Sequence, residues 1–296
     1  MARKRKKRLP TSMMNPSRFE AGQIKLYVIL IPLALFSALP ILYLITTAFK
    51  PLDELFAFPP RFFVRRPSLR NFQEIMRMMT SGGIPFSRYL FNTLVSSVLT
   101  VVGTIYISLN SAYVLSKKRF RGKKLLFTIN TAALMFVPAA VKVPRYLLVY
   151  KAGMLNTFWA LVVPMLAMPV GLFLIKQNLD QVPDSLIEAA RIDGAKEYRI
   201  LYLIVAPVIK PALVTVAILS FQTAWNNVEY SQLYINNDTI KTFAFYISSL
   251  TSNVGNTVAG QGMAAAGSLI LFLPNLLIFI IMQSKVVNTM ANSGIK

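Results

Sequence analysis

Eleven carboxylates are the main candidates for acid–base chemistry in a chain of 296 residues that contains neither His nor Cys. Without imidazole or thiol there is no Ser-His dyad, no Cys nucleophile, no zinc finger and no disulfide framework. Five of the eleven fall in one short stretch, at Asp180, Asp184, Glu188, Asp193 and Glu197. Ser185 and Glu188 stand at capping-box spacing, which predicts a helix beginning at Leu186. Gly194 suits the left-handed turn that ends such a helix about two turns later. A second helix is expected from near Ala195, bent by Pro207 and Pro211 where it enters lipid. A capped helix this short is not stable alone. Ala189 and Ala190 have small side chains that permit close approach of another surface. That surface is either a separate protein or the inner ends of the chain's own helices, and the residues leave both open.

The elements that carry these groups are set by where charge is missing. Leu26 to Phe49, Tyr89 to Ser116, Leu125 to Val141, Ala152 to Ile175 and Thr242 to Ser284 hold no charged residue, and Ile200 to Val228 holds only Lys210. Roughly 20 apolar residues in a helix cross a bilayer. Six spans are therefore predicted, near 25–48, 89–115, 125–147, 157–176, 203–223 and 264–284. The fold class is all-α, a polytopic membrane protein. A net charge of +21 alone would suggest nucleic acid, but a mean hydropathy of +0.53 excludes a soluble nucleic-acid binder and places the charges at the water boundaries.

The first span is too long for a signal-peptide core, so the basic tail Arg3-Lys4-Arg5-Lys6-Lys7-Arg8 is expected to stay attached as a topology determinant. With both termini cytoplasmic, the loop 116–124 and its six Lys or Arg lie inside, as does the acidic stretch. The loop 50–88 falls outside and holds seven Lys or Arg, against the usual bias. Pro51, Pro59, Pro60, Pro67 and Pro85 argue against one long helix there. The division is then a basic tail (1–23), a six-span domain (24–284) with outer loop 50–88 and inner loop 177–202, and a cytoplasmic tail (285–296).

Glu188-Ala189-Ala190-x-x-Asp193-Gly194-Ala195, followed by Ile204, Pro207, Lys210 and Pro211-Ala212-Leu213, resembles the EAA loop of ABC-importer permeases. The likeness is to the carbohydrate-uptake class of the maltose-permease (MalG) type, and it covers nearly the whole chain. Gly153 to Thr157, Trp225-Asn226-Asn227, and Pro274, Phe279 and Gln283 with the tail Ser293 to Lys296 match further segments in order. Tyr198, Ala206 and Ser284 depart from the residues usual in the family.

The resemblance implies a type I ABC-importer permease fold in the plasma (inner) membrane. It implies that Glu188, Ala189, Ala190, Asp193, Gly194 and Ala195 form a coupling helix that docks on a cytoplasmic ABC ATPase dimer. It implies a second homologous permease subunit as heterodimer partner, an external solute-binding protein and a sugar substrate. No cofactor is expected on this chain; ATP and Mg belong to the partner ATPase, since no G-x-x-x-x-G-K-[ST] run occurs. No metal ligands and no nucleic-acid partner are expected; membrane lipid surrounds the spans. A self-sufficient secondary transporter is the alternative, but no Asp or Glu lies in any predicted span, where ion-coupled carriers commonly hold them. A membrane enzyme is disfavoured by the same lack of paired carboxylates.

Sugars are held by aromatic faces and hydrogen-bonding side chains. Candidate contacts are Asn92, Asn110, Asn130, Trp159, Gln222, Trp225 and Asn226, any of which could instead bridge helices or sit in the interface belt. Lys142 and Arg145, either side of Pro144, read as snorkelling cations or as a cationic entrance for an acidic saccharide, with Arg61, Arg65, Arg66 and Arg70 nearby in the chain's outer loop.

Overall fold

The computed structural model describes residues 24–81, 83–254 and 257–293, and its regular elements are all helical. The basic tail over 1–23 and the last three residues, 294–296, lie outside the described residues.

Helix α1 (Ile24–Ala48) presents a nearly continuous apolar surface, and none of its strongest 18-residue window is buried within the chain. Among the described residues its main helix partner is the last helix. The loop that follows folds into a cap, with a single turn α2 (Leu52–Leu55) and a helix α3 (Arg70–Ser81) joined by extended chain. Buried Glu54 organises that extended chain by accepting hydrogen bonds from the backbone N–H groups of Arg65 (2.9 Å) and Arg66 (2.8 Å). The Asn71 amide donates to the carbonyls of Ala48 and Lys50, both at 2.9 Å, and so ties α3 to the end of α1.

Helix α4 (Phe86–Lys117) is the axis of the fold. It runs 32 residues without a proline, about 48 Å at 1.5 Å per residue. One of its faces is buried and unusually polar: Asn92, Thr93, Ser96, Ser97, Thr100, Thr104 and Ser108. Small side chains let neighbouring backbones come close, which is how helices associate where lipid removes the hydrophobic drive.

The next three predicted spans are each broken. α5 (Lys123–Ala133) and α6 (Pro138–Lys151) meet at 114° rather than forming one helix over 125–147. Pro138 cannot accept a place inside a helix running on from Leu134, because its ring meets the carbonyl four residues back. It starts a new helix instead. α7 (Trp159–Leu166) and α8 (Pro169–Asp180) meet at 41°, with Met168 extended ahead of Pro169 as the residue before proline favours. α9 (Asp184–Ile192) is the short helix of the acidic stretch. α10 (Glu197–Val208) contains a π-helical stretch, Ile200–Val205, and meets α11 (Lys210–Trp225) at 86°. The break falls at Ile209, between Pro207 and Pro211, where the sequence places the bend.

α12 (Glu229–Tyr234), α13 (Phe243–Val254) and α14 (Val258–Ser293) complete the chain. α1, α4 and α14 are each long and apolar enough to cross a membrane alone, and the count reaches six when each bent pair is taken as one span. α4 packs against α7, α8 and α11, while α14 packs against α1, α3, α11 and α13. Two apolar clusters close the ends. Leu109, Ile175, Leu179, Ile187, Ile200 and Val205 gather at the acidic end, and Tyr89, Phe243, Ile247, Ala266 and Leu269 at the opposite one.

Candidate functional site: the acidic docking helix

Helix α9 starts two residues before the predicted Leu186. Pro183 occupies the N-cap with extended backbone (ψ 136°) and no side-chain cap bond, so the capping box of Ser185 and Glu188 does not form. A proline at the N-cap has no side-chain acceptor to offer the first-turn N–H groups; the Leu186 N–H instead donates to the Pro183 carbonyl at 3.2 Å. Ile187 and Ala190, three residues apart, face inward and are buried in the apolar cluster. Ala190 therefore packs on the chain's own helices and is not part of the exposed face on which it was expected. Glu188 and Ala189 are exposed, and Ile192 is 87% exposed, an unusual position for a large apolar side chain.

The end of α9 follows the expected chemistry. Gly194 lies at φ +80°, its N–H donates to the Arg191 carbonyl at 3.0 Å, and the Ala195 N–H reaches back to the Ala190 carbonyl at 3.0 Å. These are the two bonds of a Schellman turn. They set the angle at which the chain leaves for α10, with Lys196 as its N-cap.

The five carboxylates divide by what they touch. Asp180 accepts from the Ser116 hydroxyl and pairs with Lys176, both at 2.6 Å. Asp184 pairs with Lys117 at 2.8 Å, and Lys117 also donates to the Val182 carbonyl. The hydrogen bond and charge of Lys117 hold the Asp184 carboxyl below the usual aspartate range. Glu197 accepts from the Tyr113 hydroxyl (2.8 Å) and Arg191 (3.0 Å), and pairs with Lys118. Tyr113, Ser116, Lys117 and Lys118 all belong to the last turn of α4 or the residue after it. Among the described residues, the carboxylates of Glu188 and Asp193 have no hydrogen-bond or ion-pair partner. Three acids fix the segment in place, and two are left facing outward beside Ala189, Ile192 and Gly194.

The residues expected along a sugar pathway do not converge on one chamber. Asn92 is 2% exposed, and its amide donates to the carbonyls of Thr239 (2.8 Å) and Lys241 (3.0 Å). Trp225 is 4% exposed, with its indole N–H on the Leu271 carbonyl at 3.1 Å. Both are therefore ties between helices rather than open contacts, as their backbone partners use the polar atoms a sugar would need. Asn110 donates to the Tyr202 hydroxyl at 2.6 Å, and Asn130 to the Pro169 carbonyl at 3.2 Å. Asn226 donates to the Gln222 carbonyl and accepts from Asn275 at 3.0 Å. Trp159 and Asn226 are exposed, and Gln222 is half-buried. Asn92 and Asn110 stand 18 residues apart on α4, about 27 Å along its axis.

Lys142 and Arg145 come together with two residues, Glu229 and Tyr230, far from them in the chain. Lys142 lies 3.8 Å from Glu229, and Arg145 donates to the Tyr230 hydroxyl at 2.7 Å while its guanidinium stands 5.5 Å from that ring's centroid. Opposite charges 87 residues apart carry no local signal. Only the scarcity of acids marks Glu229.

Residues 104–284, more than half of the chain, match the family model described as binding-protein-dependent transport system inner membrane component. The chain is 28% identical over 281 residues to the probable ABC transporter permease protein YurM of Bacillus subtilis, covering 93% of this chain and 89% of that one. It is 26% identical over 279 residues to the arabinooligosaccharides transport system permease protein AraQ of the same organism, covering 94% of this chain and 98% of that one. Its fold superposes on a chain of a bacterial ABC transporter involved in the import of the acidic polysaccharide alginate, with a TM-score of 0.74, 19% identity, and coverage of 91% of this chain and 99% of that one. The all-α, type I importer fold and the resemblance read from the EAA segment, to carbohydrate-class permeases, are both borne out. The chain belongs to the family of binding-protein-dependent transport system inner membrane components, the multi-pass permease subunits of ABC importers.

Proposed function

We propose that this chain passes a sugar or oligosaccharide across the plasma membrane as one half of a heterodimeric permease, driven by a separate ABC ATPase that docks on α9. The observation that carries the reading is the division of the five carboxylates. Among the described residues the Glu188 and Asp193 carboxylates pair with nothing, in a segment that Asp180, Asp184 and Glu197 lock to the body of the chain. An outward face made of two free carboxylates, Ala189 and the exposed Ile192 suits a cleft on another protein. Glu188, Ala189, Asp193 and Gly194 make that contact, and Ala190 and Ala195 support it from behind. ATP and Mg bind the ATPase, both termini face it, and a solute-binding protein delivers the sugar from outside. The names of the relatives support a carbohydrate substrate.

The test is uptake in membrane vesicles with and without the ATPase subunit. Uptake is expected only with the ATPase and ATP present. Uptake sustained by a proton gradient after the ATPase is deleted would replace this reading with that of a self-sufficient secondary transporter.

An acidic oligosaccharide fits the outer end better than a neutral one. Lys142 and Arg145 stand there, and the cap displays Arg61, Arg65 and Arg70. The solved alginate importer of the same fold supports that substrate class. Lys142→Ala with Arg145→Ala is expected to slow uptake of a uronate oligosaccharide by roughly tenfold more than that of a neutral one. Glu229→Gln, which frees Lys142 from its carboxylate, should move selectivity the other way. Equal effects of the double change on both sugars would sink the cationic-entrance idea.

A further inference from the structure

Resting on the reading that α9 meets an ATPase, we propose that the motion of α9 is delivered to the opposite end of the protein through α4, not through the helix that follows it in the chain. The covalent route is poorly built for force. It passes a π-helical stretch at Ile200–Val205, a break at Ile209 and an 86° bend flanked by two prolines that donate no backbone hydrogen bond. The lateral route is short and stiff. Lys117, whose side chain is 7% exposed, reaches Asp184 at 2.8 Å on the near side of α9. Tyr113 and Lys118 hold Glu197 on the far side. The segment from α9 to the first residue of α10 is thus clamped at both ends to one end of an unbroken 32-residue helix, and Arg191 of α9 also pairs with Glu197.

The other end of α4 holds a loop. Thr93 Oγ1 accepts from the Phe243 N–H at 2.7 Å, Asn92 donates to Thr239 and Lys241 carbonyls, and Arg88 donates to Thr239 at 3.1 Å. Displacement of α9 therefore arrives at residues 239–243 as a shift of α4 along its neighbours, a shear of packed helices. The buried face of α4 suits such sliding. Its polar side chains are mostly small, and the hydroxyls of Ser97, Thr100 and Thr104 have no hydrogen-bond partner among the described residues. A change of register hands them new ones.

The chain has no cysteine, so thiol chemistry reports only what is placed. Lys118→Cys with Glu197→Cys, in the complete transporter in proteoliposomes, replaces one clamp by a pair that a short bifunctional thiol reagent can bridge. Unbridged, the variant is expected to keep hydrolysing ATP while transport per ATP falls by about tenfold. Bridged, it should recover most of the parental ratio, since the end of α4 and the start of α10, next to α9, then move as one body. Tyr113→Phe, which removes a single hydroxyl from the same clamp and leaves packing intact, should lower the ratio several-fold, and Thr93→Val should do so from the far end of α4. A bridged complex that holds its ATPase but stays uncoupled would overturn the proposal, because the two elements would then have to separate. So would a parental ratio in Tyr113→Phe and Thr93→Val together. A parental chain that retains no ATPase at all fails differently, removing the docking reading itself before any variant is compared.

Discussion

Glu188→Lys abolishes sugar uptake and releases the ATPase, while the chain still inserts and folds; that is the expected result. The reason lies in what Glu188 does not do. It is exposed, and among the described residues its carboxylate has no hydrogen-bond or ion-pair partner, so reversing its charge breaks none of their contacts. Surface changes away from such contacts usually alter stability by less than about 0.5 kcal/mol. A reversed charge inside a docking cleft is costlier, since the partner group it met is left opposed. Gly194→Pro reaches the same outcome by backbone. The position needs φ +80°, whereas proline fixes φ near −65°, and the N–H that closes the turn on Arg191 disappears. Gly194→Ala should be milder, at about 1–2 kcal/mol for a left-handed residue with a Cβ, because that Cβ meets nothing within 4 Å. Co-purification of the ATPase with each variant, beside uptake and membrane content, decides it. A Glu188→Lys or Gly194→Pro complex that assembles and imports normally would refute the docking role of α9.

The largest loss of stability is expected from Gly262→Val, at the opposite end. A Cβ added at Gly262 would stand 2.7 Å from both Nδ2 and Oδ1 of Asn71. Those atoms cannot retreat freely, because the amide holds two carbonyls, those of Ala48 and Lys50, where α1 ends. Asn71 is 4% exposed, so water does not readily take its place. Each buried carbonyl that loses its donor costs about 1–3 kcal/mol. Valine should therefore lower the unfolding temperature of the detergent-solubilised protein markedly, alanine less so, and Asn71→Ala to a similar degree as valine. Combining Asn71→Ala with Gly262→Val should add little, since both remove the same bonds. An unchanged melting temperature for Gly262→Val would show that α14 is not seated on Asn71.

The sequence made α1, α4 and α14 legible because each is one unbroken apolar run long enough for a bilayer. The bend near Ile209 was legible for a local reason too, in Pro207 and Pro211. The breaks at 134–137 and 167–168 are less legible, because the apolar runs continue unbroken through Pro138 and Pro169. The capping box at Ser185 and Glu188 fails against a competing local signal, Pro183, two residues earlier in the chain. The site was half legible. Gly194 could be placed by its residue type alone. Which acids would be paired and which free could not, since Lys117 and Asp184 are 67 residues apart and only the fold makes them neighbours. Asn92 and Trp225 were selected for polar chemistry that the backbone turns out to occupy.

The π-helical stretch at Ile200–Val205 has a consequence for chain length. A π turn accommodates one residue more than an α turn without rotating what lies on either side. In an ordinary helix, dropping one residue swings everything beyond it by about 100° and would carry Val205 and Ile209 away from the apolar cluster that holds them. Here the surplus residue is already absorbed. A chain one residue shorter within 200–205 can close the stretch as plain α-helix, keeping Glu197 toward Tyr113 and Ile209 at the bend. The segment is a splice point in the literal sense, the one stretch of this joint where a gap in an alignment leaves both faces in phase.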